Sequence, residues 1–318
     1  MADSFEQNDF DTLFALAVGY INDWPDYEVK PRGQLVREVL TPTLTLRNPR
    51  ARLLANPARK ADYGFAVGEF FWYLTGKQDV ASMQYYNKRM IQFSDNGFTL
   101  NSAYGYRTRW KEFSGATQWD KVREELLKDP DSRRAILMIA QADDFIHAEH
   151  SKDVPCTLNL QFFIRGGKLH LHTTMRSNDA FWGLTYDLFS FTLLQEVMLL
   201  ELRSRGMREL EIGRYSHTAG SLHIYDRHFE QATEVFENYM KQRFQHAKPM
   251  EPIDLTQLGW LRVDEEALRT GKVAQIGEDR YTGGVRWMAE QLNAHRRKRD
   301  AERERPLGPG DSNRPEQR

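Results

Sequence analysis

The chain has 318 residues, of which 40% are hydrophobic and 28% charged, and its formal net charge at pH 7 is −1. This composition supports a sizeable folded core and excludes a global positive field that would attract nucleic acid. A single cysteine excludes an internal disulfide and a zinc cluster built on cysteines, and it is typical of a reducing, cytoplasmic setting. With no signal-like h-region and no long apolar run, we expect neither export nor a membrane span.

The N-terminal part of the chain predicts two helices separated by strands. Residues 10–21 carry apolar side chains at helical spacing, and residues 36–46 alternate as strands do. Residues 61–76 predict an apolar helix that ends at Gly76 and holds Glu69 among large hydrophobic side chains. Glu69 fits a solvent-facing charge on local grounds, whereas an apolar site would raise its pKa and suit it to proton transfer.

The middle of the chain contains turns, one amphipathic helix and a strand. Tyr104 and the glycine after it predict a bend, residues 118–128 predict the helix, and residues 135–140 predict the strand. Arg133 and Arg134 stand at the entry to that strand. Such a pair suits either an exposed sheet edge or a phosphate clamp.

Residues 153–187 concentrate the reactive side chains. The lone Cys156 is followed by two strand-like runs around a Gly-Gly turn, then by a polar cluster at residues 176–179 and by Asp187 at the head of an apolar helix. A lone cysteine is most often a small buried hydrophobe. Arginines nearby would instead stabilise a thiolate, so the pattern also fits a cysteine nucleophile. The side chains suited to a dianionic phosphate are Arg32, Arg133, Arg134, Arg176 and Ser177.

The C-terminal part predicts strands at residues 208–216 and 220–225, then a helix at 227–244. Residues 245–280 predict irregular or short strand segments, and residues 283–296 predict a last helix. We expect a single α+β domain over residues 1–295, because strands and helices mix without strict alternation. Residues 296–318, charged and then rich in proline and glycine, predict a disordered tail.

Taken in order, these motifs resemble the thymidylate synthase superfamily over roughly residues 30 to 240. The central signature consists of Pro155-Cys156, Gln161-Phe162, Arg176-Ser177-x-Asp179, Phe181 and Gly183. Further matching elements are Arg32-Gly33, Glu69 in its E-x-x-W-x-x-x-G helix, Tyr104-Gly105, Arg133-Arg134 and the H-x-Y strand of His223 and Tyr225. Each motif alone is weak, but their order and spacing are highly specific.

The resemblance implies a large mixed β-sheet packed with helices, and a homodimer paired through sheet faces. It implies that Cys156 attacks C6 of a pyrimidine nucleotide, that Glu69 organises proton transfers, and that 5,10-methylenetetrahydrofolate donates the carbon. The catalytic set it implies is Cys156, Glu69, Tyr104, Asp179 and Asp187. Nucleotide binding would fall to Arg32, Arg176, Ser177, Gln161, His223 and Tyr225, with Arg133 and Arg134 from the neighbouring chain. Folate contacts would fall to Asp179 and Gly183, and nothing in the sequence requires a metal.

Departures from the family pattern bear on the substrate. Asp187 stands where the synthases have asparagine, and a carboxylate accepts from cytosine N4–H but opposes uracil O4. This indicates the dCMP hydroxymethylase branch, although an aspartate at a helix start is more often an N-cap. Thr157 and Ser221 replace a histidine and an aspartate of the family. The hydrophobic C-terminal peptide that closes the synthase site is not evident in this sequence. A site less sealed from solvent would favour addition of water to the one-carbon unit, which gives a hydroxymethyl group, over its reduction by hydride to a methyl group.

Other readings stay open on the sequence. Within the family they are CMP hydroxymethylation in nucleoside-antibiotic synthesis, dCMP methylation and thymidylate synthesis. Outside catalysis, the alternative is a catalytically silent nucleotide-binding relative, and the presence of Cys156, Glu69 and the arginines speaks against it. A nucleic-acid-binding role is least favoured, because the cations are scattered and the overall charge is balanced.

Overall fold

The computed structural model describes residues 4–304 except residues 111, 114 and 147. The strands are β1 (Ser4–Gln7), β2 (Tyr27–Val29), β3 (Val36–Leu40), β4 (Thr43–Leu46), β5 (Glu112–Phe113), β6 (Ala116–Thr117), β7 (Ile136–Met138), β8 (Thr157–Arg165), β9 (Lys168–Met175), β10 (Asn178–Asp179), β11 (Glu211–Ala219) and β12 (Ser221–Tyr225). The helices are α1 (Phe10–Asp23), α2 (Tyr63–Leu74), α3 (Val80–Tyr86), α4 (Gln118–Lys128), α5 (Ala142–Ile146), α6 (Leu184–Ser204), α7 (Phe229–Met240), α8 (Leu255–Arg269) and α9 (Gly283–Glu304).

A six-stranded mixed sheet forms the centre of the fold, in the order β1-β4-β11-β9-β8-β7. Strands β8 and β9 form an antiparallel hairpin, and β11 joins β9 in parallel. The hairpin turns through Gly166 and Gly167, whose φ angles of 56° and 70° favour glycine. The predicted α+β fold with a large mixed sheet is therefore confirmed.

The side chains of the hairpin alternate between two environments. Leu160 and Phe162 on β8 are buried in the core, whereas the alternate residues Gln161 and Phe163 are only half-buried on the opposite face of the sheet. A second sheet, of four strands in the order β10-β12-β3-β2, lies beside this layer. The end of β9, the short β10 and the start of α6 follow one another closely, which gathers the polar cluster at one place.

Helix α6 runs through the interior, since 17 of its 21 residues are buried. It packs against α2 and against strands β9 and β11. Helix α2 is sandwiched between α6 and α9, and it begins at an N-cap made by Asp62. This arrangement sets the polar residues near the start of α6 against Glu69 of α2. No helix within residues 4–304 is long and apolar enough to cross a membrane.

Two expectations for the C-terminal part were wrong. Helix α8 lies inside residues 245–280, where irregular structure or short strands were predicted. Its N-cap, Asp254, and its buried Leu258, Leu261 and Leu268 give it a helical signal, which its many exposed charges obscure. Helix α9 continues past residue 295 to Glu304, into the predicted tail. There Arg299 donates to the Tyr85 carbonyl, while residues 305–318 of the predicted tail lie outside the described residues.

Candidate active site

Cys156 lies directly before β8, in a loop that Arg176 holds in place. The Arg176 side chain donates to the carbonyls of Pro155 at 2.9 Å and Val154 at 3.0 Å, and its backbone N–H donates to the Cys156 carbonyl at 2.8 Å. Burial raises the pKa of the Cys156 thiol, and the positive charge of Arg176 acts against that rise. The structure therefore brings the lone thiol and this arginine together, as the sequence predicted.

Two carboxyl groups lie close to one another near this thiol. Burial raises the pKa of Glu69 to about 8, with a further contribution from the neighbouring Asp187 and an opposing one from Tyr73. Burial also raises the pKa of Asp187 to about 7, and Asp187 in turn raises the pKa of the Cys156 thiol. The cluster therefore offers carboxyl groups that hold or release a proton near neutral pH.

Tyr104 joins the loop of Cys156 to helix α2. Its ring stacks on Tyr73 with centroids 5.4 Å apart, and its hydroxyl accepts a 3.4 Å hydrogen bond from the Thr157 backbone N–H. The next residue, Gly105, lies against the Tyr73 backbone, where an added Cβ would be 2.6 Å from the Tyr73 carbonyl carbon. Only glycine allows this approach, so the Tyr-Gly pair sets the spacing between the cysteine loop and α2.

Asp179 caps the tight turn that leads into α6. Its Oδ1 accepts the backbone N–H groups of Phe181 at 2.8 Å and Trp182 at 3.2 Å, and Gly183 donates its N–H to the Asp179 carbonyl. Asp179 thus stabilises this turn in the structure, whereas the sequence predicted that it takes part in catalysis and folate binding. Trp182, which we did not predict, is 51% exposed on this turn.

The predicted sugar and phosphate residues fall into two groups, one near Cys156 and one farther along β8. On the Cys156 side, Arg32 is exposed in a turn with a φ of 51°, close enough to lower the pKa of the Cys156 thiol. His223 pairs in register with Asp179, and its ring contacts Tyr225 edge-on at 5.2 Å. Ser177 lies half-buried between Arg176 and β10.

Arg133, Arg134 and Gln161 lie away from this cluster within one chain. Both arginines are exposed, and neither forms an ion pair with a described residue. Gln161 donates its amide to the Arg133 carbonyl at 2.9 Å, about 16 Å along β8 from Cys156 at the usual strand rise. A single chain therefore does not bring these three residues to the thiol.

The sequence interpretation missed Asn178 and His217 as site residues. The Asn178 amide donates to the Asp187 carboxylate at 2.9 Å and lies 3.3 Å from the His217 ring. The sequence places Asn178 in the polar cluster but assigns it no role of its own. His217 lies on the buried face of β11 together with Tyr215. The alternation of side chains along this strand therefore predicts a histidine in the core, which was the available signal in the sequence.

Comparison with known proteins identifies the family. The family model described as "Thymidylate synthase" matches residues 40–255, more than half of the chain. The chain belongs to the thymidylate synthase family. Every predicted site residue except Arg32 lies inside the matched region. Among the residues that the structure describes, no group of three or more histidine, cysteine, aspartate or glutamate side chains is arranged to hold a metal ion.

Two curated relatives and one solved structure refine this placement. The chain is 36% identical over 204 residues to a deoxyuridylate hydroxymethyltransferase of Bacillus phage SP01, a match that covers 61% of this chain and 52% of that protein. It is 33% identical over 186 residues to a protein of the same name from Pseudomonas phage M6, covering 58% of this chain and 50% of that one. The chain thus matches about half the length of each relative.

The solved structure confirms the thymidylate synthase fold. It is thermostable thymidylate synthase A from Bacillus subtilis, with a TM-score of 0.58 and 22% identity. The match covers 72% of this chain and 84% of that one.

Proposed function

We propose that this chain is a one-carbon transferase that hydroxymethylates C5 of a pyrimidine nucleotide, with dCMP as its substrate. The observation that carries the proposal is the single Cys156, held by Arg176 and placed near the buried carboxyl group of Asp187, which in turn adjoins the half-buried Glu69. The names of the two phage relatives support hydroxymethyl transfer over reductive methylation. The predicted cytoplasmic location stays a prediction.

The chemistry follows from the residues around the thiol. The Cys156 sulfur adds to C6 of the ring, which makes C5 nucleophilic, and Arg176 favours the thiolate that this addition needs. Glu69, with a pKa raised to about 8, carries a proton at neutral pH and can pass it to the ring or to an ordered water. C5 then bonds to the one-carbon unit that bound folate would supply, C5 gives up its hydrogen as a proton to the site, and tetrahydrofolate would leave as the free amine. Water adds to the exocyclic methylene that remains, and Cys156 departs from C6 as the C5–C6 double bond re-forms, with the proton of the water neutralising the released thiolate.

Methylenetetrahydrofolate suits the surface beside this cluster. When bound, it supplies a one-carbon unit at the oxidation level of formaldehyde. The exposed Trp182 offers an aromatic face for a folate ring, and it lies on the turn that contains the predicted folate residues Asp179 and Gly183. These three residues are the ones we propose to hold the folate.

Asp187 supports cytosine as the base. An ionised carboxylate accepts from cytosine N4–H and opposes uracil O4. A second candidate substrate is dUMP, favoured by the names of both relatives and by the pKa of Asp187, which is raised to about 7. A protonated carboxyl can donate to uracil O4, as the asparagine of a synthase does. We expect Asp187→Asn to shift preference toward dUMP, and unchanged cytosine preference in that variant would refute the role of Asp187.

A homodimer would complete the phosphate site. Arg133 and Arg134 are exposed and without ion pairs among the described residues, and they lie beside Gln161 on the outer face of the sheet. Two sheets packed through that face would bring the pair from one chain toward the nucleotide of the other. Mixing Cys156→Ala with an Arg133→Ala, Arg134→Ala double variant tests this, because each mixed dimer would contain one intact site. About a quarter of wild-type activity should return, and no recovery would contradict a shared site.

Mass spectrometry tests the reaction itself. The full chain is incubated with methylenetetrahydrofolate and an equimolar mixture of CMP, dCMP, UMP and dUMP, with Cys156→Ala as the matched control. A gain of about 30 Da on dCMP, absent from the control, supports the proposal, since this is the mass of added CH₂O. The same gain on dUMP supports the second candidate. A gain of about 14 Da would mean reductive methylation, and no gain on any nucleotide would refute a transferase.

A further inference from the structure

The carboxylate of Asp187 is held by a neighbour that the chemistry above does not use. Asp187 is 9% exposed, and its Oδ2 accepts the 2.9 Å hydrogen bond from Nδ2 of Asn178. Within the described part of the chain, Oδ1 of Asp187 receives no hydrogen bond. The two oxygens are therefore unequal: Oδ2 is tied to the protein, and Oδ1 is left for a ligand.

Asn178 is in turn oriented by a buried pair on β11. Its Nδ2 lies 3.3 Å from Nε2 of His217, and Nδ1 of His217 lies 2.8 Å from the Tyr215 hydroxyl. Burial lowers the pKa of His217 to about 3, so the ring is neutral and only one nitrogen carries hydrogen. Because the Asn178 amide nitrogen is a donor, Nε2 must accept, and Nδ1–H donates to Tyr215.

This orientation leaves the other end of the Asn178 amide unsatisfied. Asn178 is 3% exposed, and its Oδ1 is buried with no hydrogen-bond partner among the described residues. A Cβ at Gly183 would lie 2.8 Å from that oxygen, so glycine is needed there. Nδ2 also lies 2.7 Å from the Met175 sulfur, a weak acceptor. An amide turned by half a rotation would set Oδ1 against the Asp187 carboxylate, which explains why the donor faces Asp187.

We infer that Asn178, oriented by His217, is a positioning residue that decides which hydrogen-bonding group Asp187 presents to the pyrimidine base. The inference rests on the proposed function, in which Asp187 faces the base. With Nδ2 on Oδ2, a proton bound by Asp187 resides on Oδ1. Unprotonated, Oδ1 accepts from cytosine N4–H; protonated, it donates to uracil O4. Asn178 thereby sets the pH at which the preferred base changes.

Other titratable groups face Asp187 and must be separated from it. They are Glu69 and Tyr73 from α2, Tyr104 and Cys156 from the segments beside it, and Tyr215 from β11; His217 on the same strand reaches Asp187 only through Asn178. Glu69, with its pKa near 8, titrates in the same range as Asp187. A Glu69→Gln background removes that overlap, so all proteins in the test carry this change.

The test measures the dissociation constants of dCMP and dUMP by calorimetry from about pH 5.5 to about 9, which brackets the titration of Asp187. In the Glu69→Gln parent, preference for dCMP over dUMP should rise with pH. Asn178→Leu keeps the side-chain size but removes the hydrogen-bond donor to Oδ2 of Asp187, which stabilises the charged carboxylate. We therefore expect the midpoint of the pH-dependent change in base preference to rise by about one pH unit in this variant. At an intermediate pH this is roughly a tenfold loss of dCMP preference.

Substitutions at His217 provide the matched pair. His217→Leu removes the acceptor for Asn178 and should also raise the midpoint, whereas His217→Gln retains an acceptor and should keep the parental midpoint. If Asn178→Leu and His217→Leu lose thermal stability but keep the parental midpoint of base preference, then Asn178 and His217 have only a structural role and the inference is overturned. A pH-independent preference in a parent that binds nucleotide would overturn it too, while leaving the transferase proposal standing. A parent that binds neither nucleotide would overturn both.

Discussion

Gly105 offers a sharp test of how the cysteine loop is spaced from helix α2. In Gly105→Ala, the new Cβ would lie 2.6 Å from the Tyr73 carbonyl carbon and closer still to the Tyr73 oxygen and Cα. Carbon atoms in contact prefer about 3.5–4.0 Å, so the loop and the helix must separate by about 1 Å. The obstacle is helix backbone, which cannot rotate away as a side chain does.

The expected cost has two parts. Overpacking of this kind destabilises a protein by roughly 1–3 kcal/mol, which a shift of the urea midpoint would report. The displacement also separates Tyr104 from Tyr73, whose rings stack at 5.4 Å, and moves Cys156 relative to Glu69. A misplacement of about 1 Å in reacting groups lowers turnover by roughly a hundredfold.

Gly259→Ala is the matched control. Gly259 lies inside α8, and no heavy atom would come within 4 Å of an added Cβ. Alanine there should stabilise the protein by about 0.5–1 kcal/mol, because glycine is a poor helix former. If Gly105→Ala unfolded at the wild-type urea concentration with full turnover, the close approach of Gly105 to Tyr73 would be refuted.

Three further substitutions test individual carboxyl groups. Glu69 has a folded pKa of about 8, above its ordinary value of 4.5, so the free energy of unfolding falls as pH rises from about 4.5 to about 8 and levels off above that. Urea unfolding of Glu69→Gln should lack this fall, which in wild type reaches up to about 1.4 kcal/mol per pH unit, and an equal fall in both proteins would contradict the raised pKa of Glu69. Asp62 has its pKa lowered to about 2 by hydrogen bonds to His295 and a backbone N–H, which outweigh burial. Asp62→Asn should lower the free energy of unfolding by about 1 kcal/mol at neutral pH after allowance for solvent screening, and this difference should disappear as pH falls toward 2. A decrease that is the same at every pH would refute the role of the Asp62 charge. In the wild-type protein the fully buried Arg52 lies 2.6 Å from Glu196, and Glu196→Gln removes the negative charge that balances it. This variant should lower the free energy of unfolding by roughly 3–5 kcal/mol in urea, and a decrease under about 1 kcal/mol would contradict the importance of the pair.

Local patterns in the sequence were sufficient for the hairpin, the central helices and several site residues. Alternation on β8 and β9, with two glycines between them, predicts the hairpin because neighbouring residues alone set side-chain direction and turn geometry. The order of the motifs around Cys156, Glu69 and Arg176 identifies the family. These signals lie within short stretches, so no tertiary information is needed to read them.

The environment of Asp187 was decided by tertiary structure. Asn178, Asp187 and His217 come from β10, α6 and β11, and strand register and helix packing bring them together over sequence separations of up to 39 residues. Burial then raises the pKa of Asp187 to about 7, a value that depends on the atoms around the carboxyl group. The sequence alone determined that a carboxylate stands at position 187, whereas packing decides when that group is charged, because the cost of ionisation is set by surrounding solvent and hydrogen bonds.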